Sequence, residues 1–532
     1  MTTNSSAADV GEPATLAAQR APAPPGTTRL NANAVLVLVA VAQFMIVLDS
    51  TIVNVALPTI QRDVGFSQES LVWVLNAYIL IFGGFLLLGG RLADRLGRRR
   101  LFMTGAALFA GASLVCGLSQ AEATLLVARG VQGLGGALVS PAALSIILTN
   151  FAEGPERNRA LAVWGAIAGA GGAVGLLLGG LIVEALSWRW VFFVNVPIGA
   201  LLLSAAPRRI RESRSEDAAP GYDVEGAVAI TLGTIVLVFT LIKANAWGWG
   251  SVRTVAGLAA AALLVTGFVL IERSHKNPLV PLRIFSARSL TAASLTLLLV
   301  AASLFGVIFF ITLYLQQVLD YSALKTGLAY MPMSASIIGS STVASRLVDR
   351  YSPKPILASG LVVATAGLVL MSRISGHGDY ASHVLPAMVV MGIGLGMSFV
   401  PVTIAGTNGV PPQDSGLASG LLNTATQVGG AFGLAILTAV STPRTDDALH
   451  GGSSLPAALT HGFKGGFGIA AGMCGLALVF ALAFLPGRTR QAADAEAQLA
   501  ALSSSRSPCA PNCGYLARIA AAARRLRHAG RA

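Results

Sequence analysis

Apolar runs recur along the chain, separated by short clusters of charged and turn-forming residues. A membrane-crossing helix needs about 20 mostly apolar residues, and fourteen stretches meet that need. They start near Ala34, Leu71, Leu101, Ala123, Ala160, Val191, Val224, Thr254, Leu290, Gly327, Ile356, Val384, Gly416 and Gly465. Those at Val191 and Gly327 are short or interrupted by proline. The pattern predicts an all-α polytopic membrane protein. Composition points the same way: 54% of the residues are hydrophobic and 11% charged, against about 25% charged in soluble domains.

Lysine and arginine decide which side is inside, because cytoplasmic loops carry the excess. With both termini cytoplasmic, inner loops and tails hold 28 of the 37 basic residues and outer loops 8, with Arg129 inside a span. The net charge of +13 is therefore spread along cytoplasmic edges, where anionic lipid headgroups lie. It calls for membrane lipid and not for nucleic acid. Residues 1–33, rich in Ala, Pro, Ser and Thr, read as a disordered cytoplasmic tail with no secretory signal. Residues 488–532 form a basic tail, either a surface helix or a solvated end.

The four cysteines have neither disulfide-framework nor zinc spacing, and all six histidines fall in loops or the tail. No metal or cofactor is expected. A P-loop is absent, which argues against an ATP-driven pump, and "SALK" (322–325) lacks the companion motifs of an S-x-x-K enzyme.

"GGRLADRLGRRRLF" (89–102) has a weaker echo in "ASRLVDRYSPKPIL" (344–357), at an offset of 255 residues. Six spans with their loops need an offset nearer 200 by helix length and loop size, so about two extra spans stand between the repeats. The expected organisation is a six-span half over 34–206, linkers and two inserted spans over 207–289, and a second six-span half over 290–487. Parallel repeats are a common transporter plan.

"LDSTIVNVALPTI", "GGRLADRLGRRRLF", "ARGVQGLGGALVSP" and "SWRWVFFVNVPIG" occur in that order. With them the chain resembles the fourteen-span drug:proton antiporters of the major facilitator superfamily, over residues 34 to 487. Its Ala-, Gly- and Arg-rich composition resembles the antibiotic exporters of high-GC bacteria. The resemblance implies the major facilitator fold in a bacterial cell membrane and alternating access. It also implies small-molecule antibiotics or drugs and protons as the partners. Proton-coupled uptake or symport is the alternative within the same fold; a channel or sensor fits the motif order less well.

Asp49 lies within the first span, where a carboxylate is costly and by default functional. The alternative is a carboxylate locked in a structural hydrogen-bond network. Ser50, Asn54 and Gln43 share one helix face, about 100–140° round from Asp49. Gln43, Asn54 and Gln132 are the candidate substrate-cavity residues. Arg129 is an intramembrane cation aligned with Gly133, Gly136 and Ser140, small residues that allow a close neighbouring helix. The resemblance implies proton coupling, or direct contact with a cationic substrate, at Asp49, and a part in proton transfer at Arg129. It also implies a gate latch at Gly90, Arg91, Asp94, Arg95, Gly97, Arg98 and Arg99. In the fifth span Gly165, Gly169, Gly175, Gly179 and Gly180 form a packing face, where Leu176 stands at the family's usual proline. Trp188, Trp190, Trp247 and Trp249 read as interfacial anchors.

Overall fold

The computed structural model describes residues 29–151, 155–214, 223–275, 278, 280, 282–375, 379–407 and 415–485. Within them the chain is helical, with no strand. Most of both expected tails, the spacing of Cys509 and Cys513, and part of the 207–289 linker lie outside the described residues.

The first half comprises α1 (Arg29–Val64), α2 (Trp73–Leu96), α3 (Arg98–Leu118), α4 (Glu122–Asn150), α5 (Pro155–Ala185), α6 (Trp190–Phe193) and α7 (Asn195–Arg209). Two inserted helices follow, α8 (Val224–Trp247) and α9 (Val252–Ser274). The second half comprises α10 (Arg288–Leu313), α11 (Ala323–Ala329), α12 (Met331–Arg350), α13 (Pro353–Met371), α14 (Leu385–Thr407), α15 (Ser415–His450) and α16 (Leu455–Phe484). Among the described residues, 12 helical segments are long and apolar enough to cross a membrane. α5 and the α11–α12 pair stand where the spans expected from Ala160 and Gly327 lie.

Proline explains where crossings break. Pro197 cannot donate to the Phe193 carbonyl, and the sixth crossing divides at Val194 into α6 and α7. Pro332 likewise removes the bond to Leu328, and α11 gives way to α12 at Tyr330. The last helix starts ten residues before the expected Gly465. Ser454 and a proline in the first turn define that start. α1 begins at Arg29, inside the segment expected as tail.

Helix pairing follows the repeat. α1 packs on α5, α4 and α7, and α4 packs on α2 and α3; in the second half α14 packs on α13 and α12, and α10 on α15 and α16. Between the halves α2 meets α15, and α5 meets α11. Small residues bring these backbones together: a Cβ on Gly133 would stand 2.5 Å from the Tyr78 carbonyl, and one on Gly367 2.5 Å from the Met391 nitrogen. Such contacts replace the hydrophobic drive that lipid abolishes between helices. α8 lies over the seam between the halves, against α2 and α15, and α9 packs on α8. Most of α9 is not buried against protein; only Thr254, Ala261 and Glu272 are buried.

Candidate functional site

Asp49 and Arg129 both have 0% exposure, on α1 and α4, and they meet. Arg129 Nη1 donates to Asp49 Oδ2 at 2.6 Å. Gln132, one turn further along α4, donates through Nε2 to Asp49 Oδ1 at 2.7 Å and accepts from Arg129 Nη1 at 2.6 Å. Asn195, in the first turn of α7, donates to Asp49 Oδ1 at 2.9 Å. The carboxylate is thus held by three side chains from two helices besides its own. Arg129 Nε is satisfied by the Val74 carbonyl of α2 at 2.9 Å. Its guanidinium carbon lies 4.5 Å from the Tyr78 ring centre and 5.7 Å from that of Phe192.

Burial of an ion pair is costly unless the remaining donors and acceptors are matched, and here the matching stops short. Arg129 Nη2, Tyr78 Oη, Asn195 Oδ1 and both amide atoms of Asn76 are buried without a protein partner. The unmatched atoms surround the pair on α2, α4 and α7, so the site combines a fixed carboxylate with spare hydrogen-bonding capacity. That combination suits a group that exchanges a proton as helices shift.

Of the cavity residues expected from sequence, Gln132 belongs to this charged cluster. Asn54 turns its amide back onto the Ser50 and Thr51 carbonyls of its own helix, at 3.1 and 3.3 Å. Gln43 is buried, and its Oε1 has no protein partner. Asn195 escaped the sequence reading; the signal was a lone amide in the apolar run "WVFFVNVPIG".

α5 lies between this site and the second half. A Cβ on Gly171 would press on Val47 at 2.9 Å, and one on Gly179 on the Ile52 carbonyl at 2.8 Å. Gly175 faces Thr51 and the Leu48 carbonyl. These contacts straddle Asp49 on α1. On the other side, Gly180 approaches the Ala323 carbonyl to 2.5 Å, and Gly327 of α11 approaches the Leu176 carbonyl to 2.7 Å, both measured from an added Cβ. Leu176 is buried and α5 is unbroken through it. The packing of Gly165 and Gly169 lies outside the described residues.

The loop expected as a latch joins α2 to α3 at Gly97, whose φ of +109° suits glycine. Beyond it Glu212, from the segment after α7, accepts from the backbone N–H of Arg99 at 3.1 Å and of Arg100 at 3.2 Å. A carboxylate there caps the positive end of α3. Arg98 N–H donates to the Ser213 carbonyl at 3.1 Å, Arg99 reaches the Ile210 carbonyl at 3.3 Å, and Arg91 Nη2 donates to the Pro278 carbonyl. Gly90 lies 3.7 Å from Pro141, measured from an added Cβ. Arg95 is half-buried in the last turn of α2, and the Asp94 side chain lies outside the described residues. The acid seen at the helix end is therefore Glu212, hidden in a stretch that reads only as a polar break. Glu212→Ala should lower stability by about 1 kcal/mol, as cap removal does, read as a lower melting temperature in detergent. Glu212→Gln should lose less.

The tryptophans divide. Trp190 and Trp249 are exposed as anchors should be, but Trp188 is buried. Its Nε1 donates to Asp63 Oδ2 at 2.8 Å, and the Arg189 guanidinium lies 4.5 Å from its ring centre.

The profile of the Major Facilitator Superfamily matches residues 39–434. This chain belongs to the major facilitator superfamily. Among its relatives in the superfamily, a puromycin resistance protein of Streptomyces alboniger is 40% identical, over 86% of this chain and 92% of that one. A cephamycin export protein of Amycolatopsis lactamdurans is 39% identical over 84% and 92%. A tetracenomycin C resistance and export protein of Streptomyces glaucescens is 37% identical over 77% and 76%. Solved major facilitator structures share the fold at low identity. A bacterial homologue of the lysosomal transporter Spinster has a TM-score of 0.61 at 16% identity, covering 85% of this chain and 97% of its own. The POT-family transporter PepTSo has 0.63 at 15%, covering 86% and 99%.

Proposed function

We propose that this major facilitator protein exports an antibiotic or drug across the bacterial cell membrane in exchange for protons, with both termini in the cytoplasm. The observation that carries the reading is the Asp49 cluster: a buried carboxylate held by Arg129, Gln132 and Asn195 amid unmatched polar atoms. Relatives named for puromycin resistance and cephamycin export support the substrate class. The substrate occupies the space between the two six-span halves.

Asp49 is coupled to that space through α5. The face at which α5 ends, which the charge distribution makes the outer one, is closed in this conformation. Gln317 Nε2 donates to Gln61 Oε1 at 2.9 Å, Gln316 Nε2 to the Val55 carbonyl at 2.9 Å, and Leu324 N–H to Glu184 Oε2 at 3.0 Å. With that face closed, Asp49 is paired with Arg129. Opening it moves α5 against α1 and changes what surrounds the carboxylate. A gradient drives transport only if protonation differs in free energy between the two conformations, and the α5 contacts on either side of Asp49 support such a difference.

Inverted membrane vesicles acidified inside, and read with a pH-sensitive dye, test the reading. Puromycin, a cephamycin and tetracenomycin C are added in turn. One of them is expected to release protons from vesicles carrying the protein and not from empty ones. If cells carrying the protein extrude a drug while no drug moves protons in vesicles, antiport is wrong.

A further inference from the structure

The inserted helix α8 is fastened to both halves at once. It turns one stripe to the seam: Thr231, Val238, Ile242 and Asn245 fall within about 60° of one another on a helical wheel, and the first three are buried. On the first half, Gly84 of α2 leaves the space that Thr231 fills. A Cβ on Gly84 would stand 2.1 Å from Thr231 Oγ1 and 2.9 Å from its Cγ2. Nearer the end of α8, the Phe239 ring centre lies 6.0 Å from that of Trp73. Lys243 Nζ is 3.3 Å from Glu69 Oε1, in the loop before α2. On the second half, Asn245 Nδ2 donates to the Ala439 carbonyl of α15. Trp249 Nε1 donates to Asn245 Oδ1 at 3.0 Å; it takes the amide oxygen and leaves the N–H2 for α15.

α8 ends on the face where α5 ends, two crossings later. Beneath these ties the α2–α15 edge is close-packed as well. Added Cβ atoms on Gly83 and Gly420 would stand 2.8 Å from Gln427 Cβ and 2.5 Å from Leu87 Cδ2. At the opposite edge α5 and α11 meet directly, through the Leu324 N–H bond to Glu184 and the glycine contacts at residues 180 and 327. No single tie of these kinds is strong, so the difference between the edges lies in their number. Parting α2 from α15 strips α8 from one of them, and every tie on that side is lost together. Parting α5 from α11 gives up one bond and a few backbone contacts.

We propose that α8 is a strap that keeps the α2–α15 edge closed, so that the mouth on this face opens at the α5–α11 edge. The strap turns a symmetric rocking of two halves into a one-sided opening, with α2 and α15 as its hinge. That gives the inserted helices a mechanical role. The inference rests on alternating access and on no particular driving ion or cargo.

The test is double electron–electron resonance on the full chain in lipid nanodiscs, in a background of Cys116→Ser, Cys474→Ser, Cys509→Ser and Cys513→Ser. Spin labels on Leu186→Cys and Leu328→Cys span the α5–α11 edge. Labels on Ser67→Cys and Leu449→Cys span the ends of α2 and α15. All four positions are exposed. Gly180→Val, which crowds the Ala323 carbonyl, is added to spread the first edge. The Leu186–Leu328 pair is then expected to gain a longer distance, while the Ser67–Leu449 pair keeps a single one. Glu69→Ala with Asn245→Ala cuts the strap on both sides and should give the Ser67–Leu449 pair a longer distance too. A Ser67–Leu449 pair that lengthens with the strap intact overturns the proposal. So does one that stays single after the strap is cut, or a Leu186–Leu328 pair that never lengthens. No drug or proton gradient enters the measurement, so antiport can fail while the strap stands.

Discussion

Asp49→Asn is expected to insert into the membrane, to unfold at a lower temperature than wild type, and to release no protons when drug is added to vesicles. The carboxylate accepts from three donors at once, Arg129 Nη1, Gln132 Nε2 and Asn195 Nδ2. An amide offers one oxygen and turns its own N–H2 toward the other donors. Arg129 keeps the Val74 carbonyl and Gln132, but its charge is left without a counter-ion. Removing one member of a buried pair typically costs about 3–5 kcal/mol. Replacing both members by apolar residues removes the stranded charge. Asp49→Leu with Arg129→Met should therefore recover much of the lost stability while transport stays at zero. Melting temperatures and dye traces on the two variants separate the roles. A double variant no more stable than Asp49→Asn would mean that the pair is not the source of the cost. Normal proton release from Asp49→Asn would remove Asp49 from coupling.

Gly180→Val should abolish export by a different route, with the Asp49 cluster intact. A Cβ at residue 180 already falls 2.5 Å from the Ala323 carbonyl and 2.8 Å from Leu324 Cα, and those are backbone atoms that cannot swing aside. Overpacking of this kind costs about 1–3 kcal/mol, and here only the closed arrangement bears it. A conformation with α5 and α11 apart is spared, so the equilibrium moves toward it by the whole difference. In a Leu324→Cys background the thiol should react faster with a membrane-impermeant maleimide when Gly180→Val is added. Unchanged labelling with normal export would show that this contact is not part of the cycle.

The crossings were legible because lipid demands long apolar runs, and the two broken ones were legible as proline-interrupted. Asp49 and Arg129 stood out as charges in such runs. What sequence could not supply was distance between helices. A helical wheel groups Gln43 with Asn54, but the Asn54 amide is taken up by its own backbone, while Gln132 and Asn195 reach Asp49 only once α4 and α7 dock beside α1. Glu212, Asp223 and Glu272 sit at helix ends, where charge is ordinary, and their burial depends on which loop folds over them. Trp188 reads as an anchor because aromatic residues favour the interface, yet its partner Asp63 lies a whole half-domain away in sequence.

Every side chain that holds Asp49 comes from the first half, and the second half carries the partly buried Leu304 at the corresponding place. Substitutions on the second half's inner surface can accordingly accumulate without removing a partner of Asp49. A graft of the second half from a relative should leave the charged centre's hydrogen bonds in place.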